Sequence, residues 1–214
     1  MGSIYACEFP NWKQSKFMTD VNPDPYVSQP IIVDMAMQHH KGQKRLALQA
    51  GGHVGIWPAK LSDHFESVVS FEPVLENYLA CVLNIQASNV FMCLGCLGSV
   101  AKQVRVANSI MFGGSAKVSI KANTFESCSI PVCKLPKWVQ SQIDAIFLDV
   151  EGYELEILRG ATDVLEANHP TIVVEEIEKF LQTGQAGETA RLLARFGYKQ
   201  VDQLRDDLIF VADI

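Results

Sequence analysis

Acidic side chains collect at the ends of two apolar runs in the second half of the sequence. Asp149 and Glu151 follow the run at 144–148, and Glu175 ends the run at 171–175. A carboxylate held close to a hydroxyl group can accept its proton, which is general base catalysis. We predict that these three residues are catalytic, with Asp149 and Glu151 as the first candidates. For Glu151 alone, capping of the helix that follows is almost as strong an interpretation.

The same acids could hold Mg²⁺, because hard oxygen ligands suit this ion. The sequence shows no third ligand next to Asp149 and Glu151, so we do not favour a metal. The spacing of Cys93 and Cys96 resembles half of a zinc site, but the spacing of the other cysteines is loose. We therefore predict reduced, packed thiols and no metal ligands.

A glycine-rich turn follows the first predicted strand, at 51–55. Glycines at this point of an α/β sheet let a ligand approach the backbone closely. Glu72 ends the second predicted strand, where an acid can accept hydrogen bonds from the ribose hydroxyls of an adenosine. A tight turn without a ligand is the structural alternative. The predicted cofactor-binding residues are Gln49, Ala50, Gly51, Gly52, His53, Gly55, Glu72, Pro73 and Asp149.

The elements that must position these residues alternate along the chain. From Lys44 onward, short apolar β-rich runs alternate with helix-length segments, which is typical of βαβ units around a parallel sheet. The last two runs, at 198–201 and 208–211, are close enough to form a hairpin. Residues 103–132 break the rhythm, and we predict a small inserted hairpin there.

Two helical segments carry further predictions. Three prolines predict an irregular arm over residues 1–30, followed by a helix over 31–40. A helix from about Val74 to Ile85 has Leu75, Leu79 and Leu83 at helical spacing. We predict that this apolar stripe faces the sheet.

Length and composition limit the class of protein. The 214 residues suit one α/β domain spanning 1–214. The formal charge of −6 gives no broad positive field, so we do not expect a nucleic-acid partner. The apolar runs are strand-sized, and no signal-peptide pattern opens the sequence, which predicts a soluble, cytoplasmic protein without a membrane partner. The sequence does not indicate the oligomeric state.

The turn alone does not choose the cofactor. Ala50, Gly52 and Gly55 also fit a relaxed dinucleotide fingerprint. An NAD-dependent oxidoreductase and a non-catalytic adenosine-nucleotide-binding protein therefore stay open as alternatives. The closing hairpin favours S-adenosyl-L-methionine, because an antiparallel seventh strand is typical of methyltransferase sheets.

The segment 143–161 closely resembles the hallmark region of the FkbM-type methyltransferases. Phe71-Glu72-Pro73, Asn84-Ile85 and the segment 173–176 resemble other landmarks of that family, and the resemblance runs from about Leu46 to Val211. It implies a class I methyltransferase fold, Rossmann-like and doubly wound, with a mostly parallel seven-stranded sheet and an antiparallel C-terminal strand. It also implies S-adenosyl-L-methionine as methyl donor and S-adenosyl-L-homocysteine as product. The implied reaction is O-methylation of a hydroxyl on a carbohydrate or another small-molecule acceptor.

The turn departs from the pattern of this family. The usual Asp-x-Gly-Ala-Asn-x-Gly is replaced by the residues 49–55, so that Gln49 stands for the first acid and His53 for the asparagine. Gln49 can still accept a hydrogen bond, but it cannot offset the charge of the donor's amino group. This form of the turn, followed by Trp57-Pro58, resembles a branch often found in phage and environmental sequences, which would place the protein in a host cytoplasm.

Overall fold

A computed structural model describes residues 24–109, 115–118, 124–177 and 187–213. The strands are β1 (Leu46–Ala50), β2 (Ser67–Glu72), β3 (Val90–Leu94), β4 (Cys96–Gly98), β5 (Lys102–Ser109), β6 (Ser115–Val118), β7 (Thr124–Pro131), β8 (Ile143–Leu148), β9 (Thr171–Glu175), β10 (Tyr198–Leu204) and β11 (Asp207–Ala212). The helices are α1 (Asp24–His39), α2 (Ile56–Ser62), α3 (Leu75–Asn84), α4 (Lys137–Gln140), α5 (Glu154–Arg159), α6 (Thr162–Asn168) and α7 (Glu188–Ala194).

The main sheet has seven strands in the order β10-β11-β9-β8-β1-β2-β3. Strands β3, β2, β1, β8 and β9 are parallel, whereas β11 runs antiparallel to both β9 and β10. This topology confirms the predicted class I methyltransferase fold with its antiparallel C-terminal hairpin. Because parallel strands end at the same edge of the sheet, the residues after β1, β2, β8 and β9 meet there.

Alternate residues of the central strands pack into two apolar cores, one on each face of the sheet. Ile146 and Leu148 belong to the first core, together with residues of α5 and α6. Ala145 and Phe147 belong to the second core, together with residues of α1 and α2. Helices on both faces explain why every residue of β8 is buried.

A second, four-stranded sheet occupies the region of the predicted hairpin insert, in the order β4-β7-β5-β6. β5 and β6 form an antiparallel pair, but β7 and the short strand β4 extend it into a sheet. Gly160 anchors this sheet to the helical layer, since a Cβ atom there would lie 2.0 Å from the Gly98 carbonyl oxygen. The insert is therefore larger than the predicted hairpin, and it is packed against the end of α5.

Two predictions about helices were wrong. α1 begins at Asp24 and contains Pro30, so residues 24–30 are helical rather than part of an irregular arm; residues 1–23 lie outside the described residues. On α3 the stripe does not face the sheet, because Leu75 is 51% exposed and Leu83 is 61% exposed. The small residues Ala80 and Cys81 are buried instead, which brings α3 close to the glycine turn.

No helix in the described part of the chain is long and apolar enough to span a membrane.

Candidate active site

The glycine turn between β1 and α2 is shaped by close packing against the end of β8. Gly51 has a φ of +86°, and a Cβ atom on it would lie 1.7 Å from the Asp149 carbonyl oxygen. The Asp149 backbone N–H donates to the Ala50 carbonyl at 3.1 Å. A side chain at position 51 would therefore push apart the ends of the two strands that form the site.

Hydrogen bonds to β2 and within the turn use most of the backbone N–H groups of the turn. The N–H groups of Gly51 and Gly52 both donate to the Phe71 carbonyl, at 2.9 and 3.1 Å, and Gly55 donates to Gly52 at 2.8 Å. These N–H groups point into the protein, so a ligand on the turn would meet mainly glycine Cα atoms and neighbouring side chains.

The side chain of Gln49 lies beneath the turn and has no exposed surface. Its amide donates to the carbonyls of Ala50 and Gly51, at 2.9 Å each, and its oxygen accepts from the Ser70 hydroxyl. The sequence predicted a cofactor contact for this side chain. The structure places it on the inner side of the turn, where it contacts the protein's own backbone.

Glu72 connects the turn to the start of α3. Its carboxylate accepts from the His53 N–H at 2.8 Å and from the Val74 N–H at 2.9 Å, and the residue is only 2% exposed. Burial raises the pKa of Glu72 to about 7, although the hydrogen bonds from Val74 and His53 act in the opposite direction. A carboxylate has about four acceptor positions, so capacity remains for ribose hydroxyls.

His53 adopts a left-handed backbone conformation, with a φ of +45°. Asparagine and histidine adopt this conformation more readily than most residues, which is consistent with histidine standing where the family has asparagine. The conformation directs the His53 N–H to Glu72. Position 53 thus fixes the geometry of the turn through its backbone.

The three predicted catalytic acids come together at the ends of β8 and β9. Carboxylate oxygens of Asp149, Glu151 and Glu175 all lie within 4.8 Å of one another. Glu175 is therefore the third oxygen ligand that the sequence did not reveal next to Asp149 and Glu151. The set matches the oxygen chemistry of Mg²⁺, and it equally matches a site that accepts a proton.

Asp149 and Glu175 interact as a hydrogen-bonded pair of acids. Burial, followed by the charges of Glu151 and Asp207, raises the pKa of Asp149. Burial, followed by the charge of Asp149, raises the pKa of Glu175 further, and the hydrogen bond between them favours a protonated Glu175 and an ionised Asp149. Two adjacent buried carboxylates share a proton for this reason.

Two further acids shape the cluster. The sequence also places Glu154 beside these strand ends, although we did not select it as catalytic, and it assigns no role to Asp207. Glu154 is buried and accepts from the N–H groups of Val150 and Gly152, at 3.0 and 3.2 Å. It holds the loop in which Glu151 adopts a φ of +58°. Asp207, the first residue of β11, reaches the cluster because the register of β11 on β9 pairs it with Glu175. This pairing joins residues that are distant in sequence, so no local pattern indicates it.

A cleft of about 520 Å³ opens next to Glu72, between the end of β3 and the small sheet. Leu94 is 55% exposed there, so one apolar wall faces solvent. The lining residues are Pro73, Leu75, Glu76, Leu94, Glu126, Ser127 and Cys128. The cleft combines apolar walls with hydroxyl and carboxylate acceptors, which suits a flat heterocycle that carries hydrogen-bond donors.

The seven-stranded sheet with its antiparallel C-terminal strands is the fold of class I methyltransferases. A profile of the methyltransferase FkbM domain matches residues 49–200. The chain therefore belongs to the FkbM methyltransferase family, as the resemblance of its segment 143–161 implied. A search of curated proteins found no match.

Solved structures share the fold at low sequence identity. Methyltransferase FkbM from Methylobacillus flagellatus KT is 16% identical with a TM-score of 0.54; the match covers 79% of this chain and 43% of that protein, so this chain spans less than half its length. Magnesium protoporphyrin IX methyltransferase from Synechocystis PCC 6803, solved with bound SAM, is 12% identical with a TM-score of 0.53, covering 94% and 86% of the two chains. A TehB-like SAM-dependent methyltransferase from Corynebacterium glutamicum is 11% identical with a TM-score of 0.50 and covers 97% of each chain.

Proposed function

We propose that this protein transfers a methyl group from S-adenosylmethionine to a hydroxyl oxygen of a carbohydrate or another small molecule. The observation that carries the proposal is the position of Asp149. Its backbone packs against Gly51 of the turn, while its carboxylate pairs with Glu175. The donor turn and the acidic cluster are thus adjacent, as a reaction between a bound donor and an acceptor requires.

Residues around the turn would bind the donor. The Cα atoms of Gly51 and Gly52 allow close approach, and the Glu72 carboxylate would accept hydrogen bonds from the ribose hydroxyls. The neighbouring cleft would take the adenine ring between Pro73 and Leu94. When bound, S-adenosylmethionine supplies a methyl group made electrophilic by its attachment to a sulfonium.

The acidic cluster would orient the acceptor and take its proton. Asp149 and Glu175 share a proton, and within this pair we assign the base to Asp149 because it lies next to the turn; Glu175 would hold it in place through their hydrogen bond. Glu151 lies within the same group of oxygens and would accept a second hydrogen bond from the acceptor. Removal of the hydroxyl proton makes the oxygen a stronger nucleophile toward the methyl carbon.

The charge of the cluster favours a neutral acceptor. Asp149, Glu151 and Glu175 place three carboxyl groups at one point, with oxygens within 4.8 Å of one another. A phosphorylated or carboxylated acceptor would therefore be repelled at short range. A sugar or another neutral hydroxyl compound avoids this repulsion and can donate to the carboxylates.

Incubation with methyl-labelled S-adenosylmethionine tests the proposal. The purified protein is mixed with a panel of neutral sugars and small hydroxyl compounds, with and without a metal chelator, and label in the acceptor is measured by mass spectrometry. We expect an ether-linked methyl group on an acceptor. Transfer that is lost on chelation and restored by Mg²⁺ would assign the three acids to a metal. Donor binding without transfer to any acceptor class would instead indicate a non-catalytic adenosine-nucleotide-binding protein.

A further inference from the structure

Gln49 changes the chemistry of the position at the end of β1. The family has an acid there, which can only accept hydrogen bonds when it is ionised, whereas a glutamine amide also donates two. In this chain both amide hydrogens are directed to backbone carbonyls, those of Ala50 and Gly51. A carboxylate in the same place would carry a negative charge next to two carbonyl oxygens, and it would be repelled by both.

The shape of the turn brings the two carbonyls within reach of this amide. The positive φ of Gly51 turns the carbonyls of Ala50 and Gly51 to the same inner side, toward the buried space beneath the turn. A buried carbonyl without a partner costs roughly as much as a lost hydrogen bond. The Gln49 amide donates to both oxygens, of which the Ala50 oxygen also accepts from the Asp149 N–H at 3.1 Å, and so it stabilises this conformation of the turn.

The strand below the turn fixes the glutamine itself. Gln49 and Ser70 are register partners on β1 and β2, and the Ser70 hydroxyl donates to the Gln49 oxygen. The same hydroxyl lies 3.0 Å from the place that a Cβ atom on Gly52 would occupy. Gln49 therefore lies at the centre of one packed unit with Ser70, Gly51 and Gly52.

We infer that Gln49 is a positioning residue for the donor: it holds the Ala50-Gly51-Gly52 backbone in the conformation that the donor contacts, and it does not contact the donor. This inference rests on the proposed function. It predicts that loss of the amide hydrogens weakens donor binding, although the side chain is fully buried and lies on the inner side of the turn.

The chain provides a matched control in Gln140. This glutamine is also buried, and its amide donates to two backbone carbonyls, those of Cys133 and Leu135. It lies on α4, just before the amino end of β8, whereas the turn lies at the carboxyl edge of the sheet. Gln49→Leu and Gln140→Leu thus remove the same contacts at opposite edges.

The experiment measures the dissociation constant of S-adenosylhomocysteine by calorimetry, at a temperature well below the melting temperature of each variant. We expect Gln49→Leu to raise it at least about tenfold and Gln140→Leu to change it less than about twofold, while both lower the melting temperature. The inference would be overturned if folded Gln49→Leu bound S-adenosylhomocysteine as tightly as the wild type. It would also be overturned if Gln140→Leu lost as much affinity as Gln49→Leu.

Ser70→Ala keeps the test decisive if Gln49→Leu does not fold. This variant removes only the hydroxyl that fixes the Gln49 oxygen, and we expect a dissociation constant raised about three- to tenfold. Unchanged affinity would contradict the positioning role. Failure of the wild-type protein to bind S-adenosylhomocysteine would contradict the proposed function itself, whereas binding that is insensitive to these variants contradicts only the role of Gln49.

Discussion

At the scale of single residues, the site depends on a few side chains that fix backbone groups. Glu72 and Glu154 each accept two backbone N–H groups, and Gln49 donates to two carbonyls. Glu72 joins the glycine turn to the start of α3, whereas Glu154 and Gln49 each hold the backbone of their own loop. Their substitution should therefore affect ligand binding as well as stability.

Glu72→Gln should weaken the binding of S-adenosylhomocysteine by about 1–3 kcal/mol, because the ribose hydroxyls lose a charged acceptor. The pKa of Glu72 is raised to about 7, and the ionised form is the better acceptor. Wild-type affinity should therefore increase as the pH rises from 6 to 8, and Glu72→Gln should show less of this increase. Calorimetric titrations at several pH values measure both effects. An unchanged affinity in the variant would place the ribose elsewhere.

His53→Val should destabilise the turn, because a β-branched residue is strained at the positive φ of position 53. We expect a loss of about 1–3 kcal/mol in the free energy of unfolding. His53→Asn should stay close to wild type, since asparagine tolerates this conformation. Denaturant unfolding of the two variants provides the comparison, and equal stability of His53→Val and wild type would rule out strain at this position.

At the scale of the elements, the acidic cluster is formed where β8, β9 and β11 meet. Asp149 follows β8 and Glu175 ends β9, which are parallel neighbours in the sheet. Asp207 begins β11, which pairs antiparallel with β9. The cluster is thus a product of strand order. Its chemistry can be tested without disturbing the strands, by substitutions that keep size and remove charge.

Asp149→Asn and Glu151→Gln should lower turnover by about 10²–10⁴-fold, the usual contribution of a general base, with the melting temperature nearly unchanged. The dissociation constant of S-adenosylhomocysteine should change much less than turnover. Single-turnover methyl transfer, donor titration and thermal melting of each variant separate these quantities. Wild-type turnover in both variants, or unfolding of both, would show that the two acids are structural.

Much of the architecture could be predicted from the sequence, because strand and helix periods are local signals. The end of β1, the end of β2 and the acidic segment after β8 were placed correctly along the chain, and the closing hairpin was confirmed. The four-stranded sheet was not foreseen, since β4 is three residues long and pairs with the distant β7. The exposed face of α3 was mispredicted because close packing of Cys81 against Gly55 outweighed the leucine stripe.

The site could be predicted only where its residues follow strands. Asp149, Glu151 and Glu175 were grouped because they stand at strand ends, where parallel topology brings side chains together, and their oxygens do lie within 4.8 Å of one another. Their catalytic role stays a prediction. The position of Asp207 depends on the register of β11 on β9, which no local pattern specifies. The inward orientation of Gln49 depends on the carbonyls of its own turn, and its position in the sequence does not reveal this orientation.

At the scale of the whole molecule, buried acids give the protein an unusual dependence on pH. Burial raises the pKa of Glu72, Glu154 and Asp207 to about 7, above their ordinary values of 4.5 and 3.8. A raised pKa means that the folded state holds the proton more tightly than the unfolded state. The stability that these groups contribute is present below their ordinary pKa values and is lost as the pH rises toward 7.

The melting temperature should therefore fall between pH 5 and pH 8, in proportion to the carboxylates that ionise in the folded protein. Asp207→Asn removes one of these groups and should reduce the decrease, whereas substitution of the exposed Asp63 should leave it unchanged. Thermal melting across this range at constant ionic strength makes the comparison. A melting temperature that rises steadily to pH 8 would mean that these acids are not buried in solution.

The central claim is that the turn and Glu72 form a methyl-donor site, and its most direct test is a calorimetric titration of the wild-type protein with two ligands. One is S-adenosylhomocysteine, which carries the adenosine and the amino-acid tail of the donor, and the other is NAD. We predict saturable binding of S-adenosylhomocysteine at one site per chain and no binding of NAD. Binding of NAD alone would contradict the claim and favour an oxidoreductase.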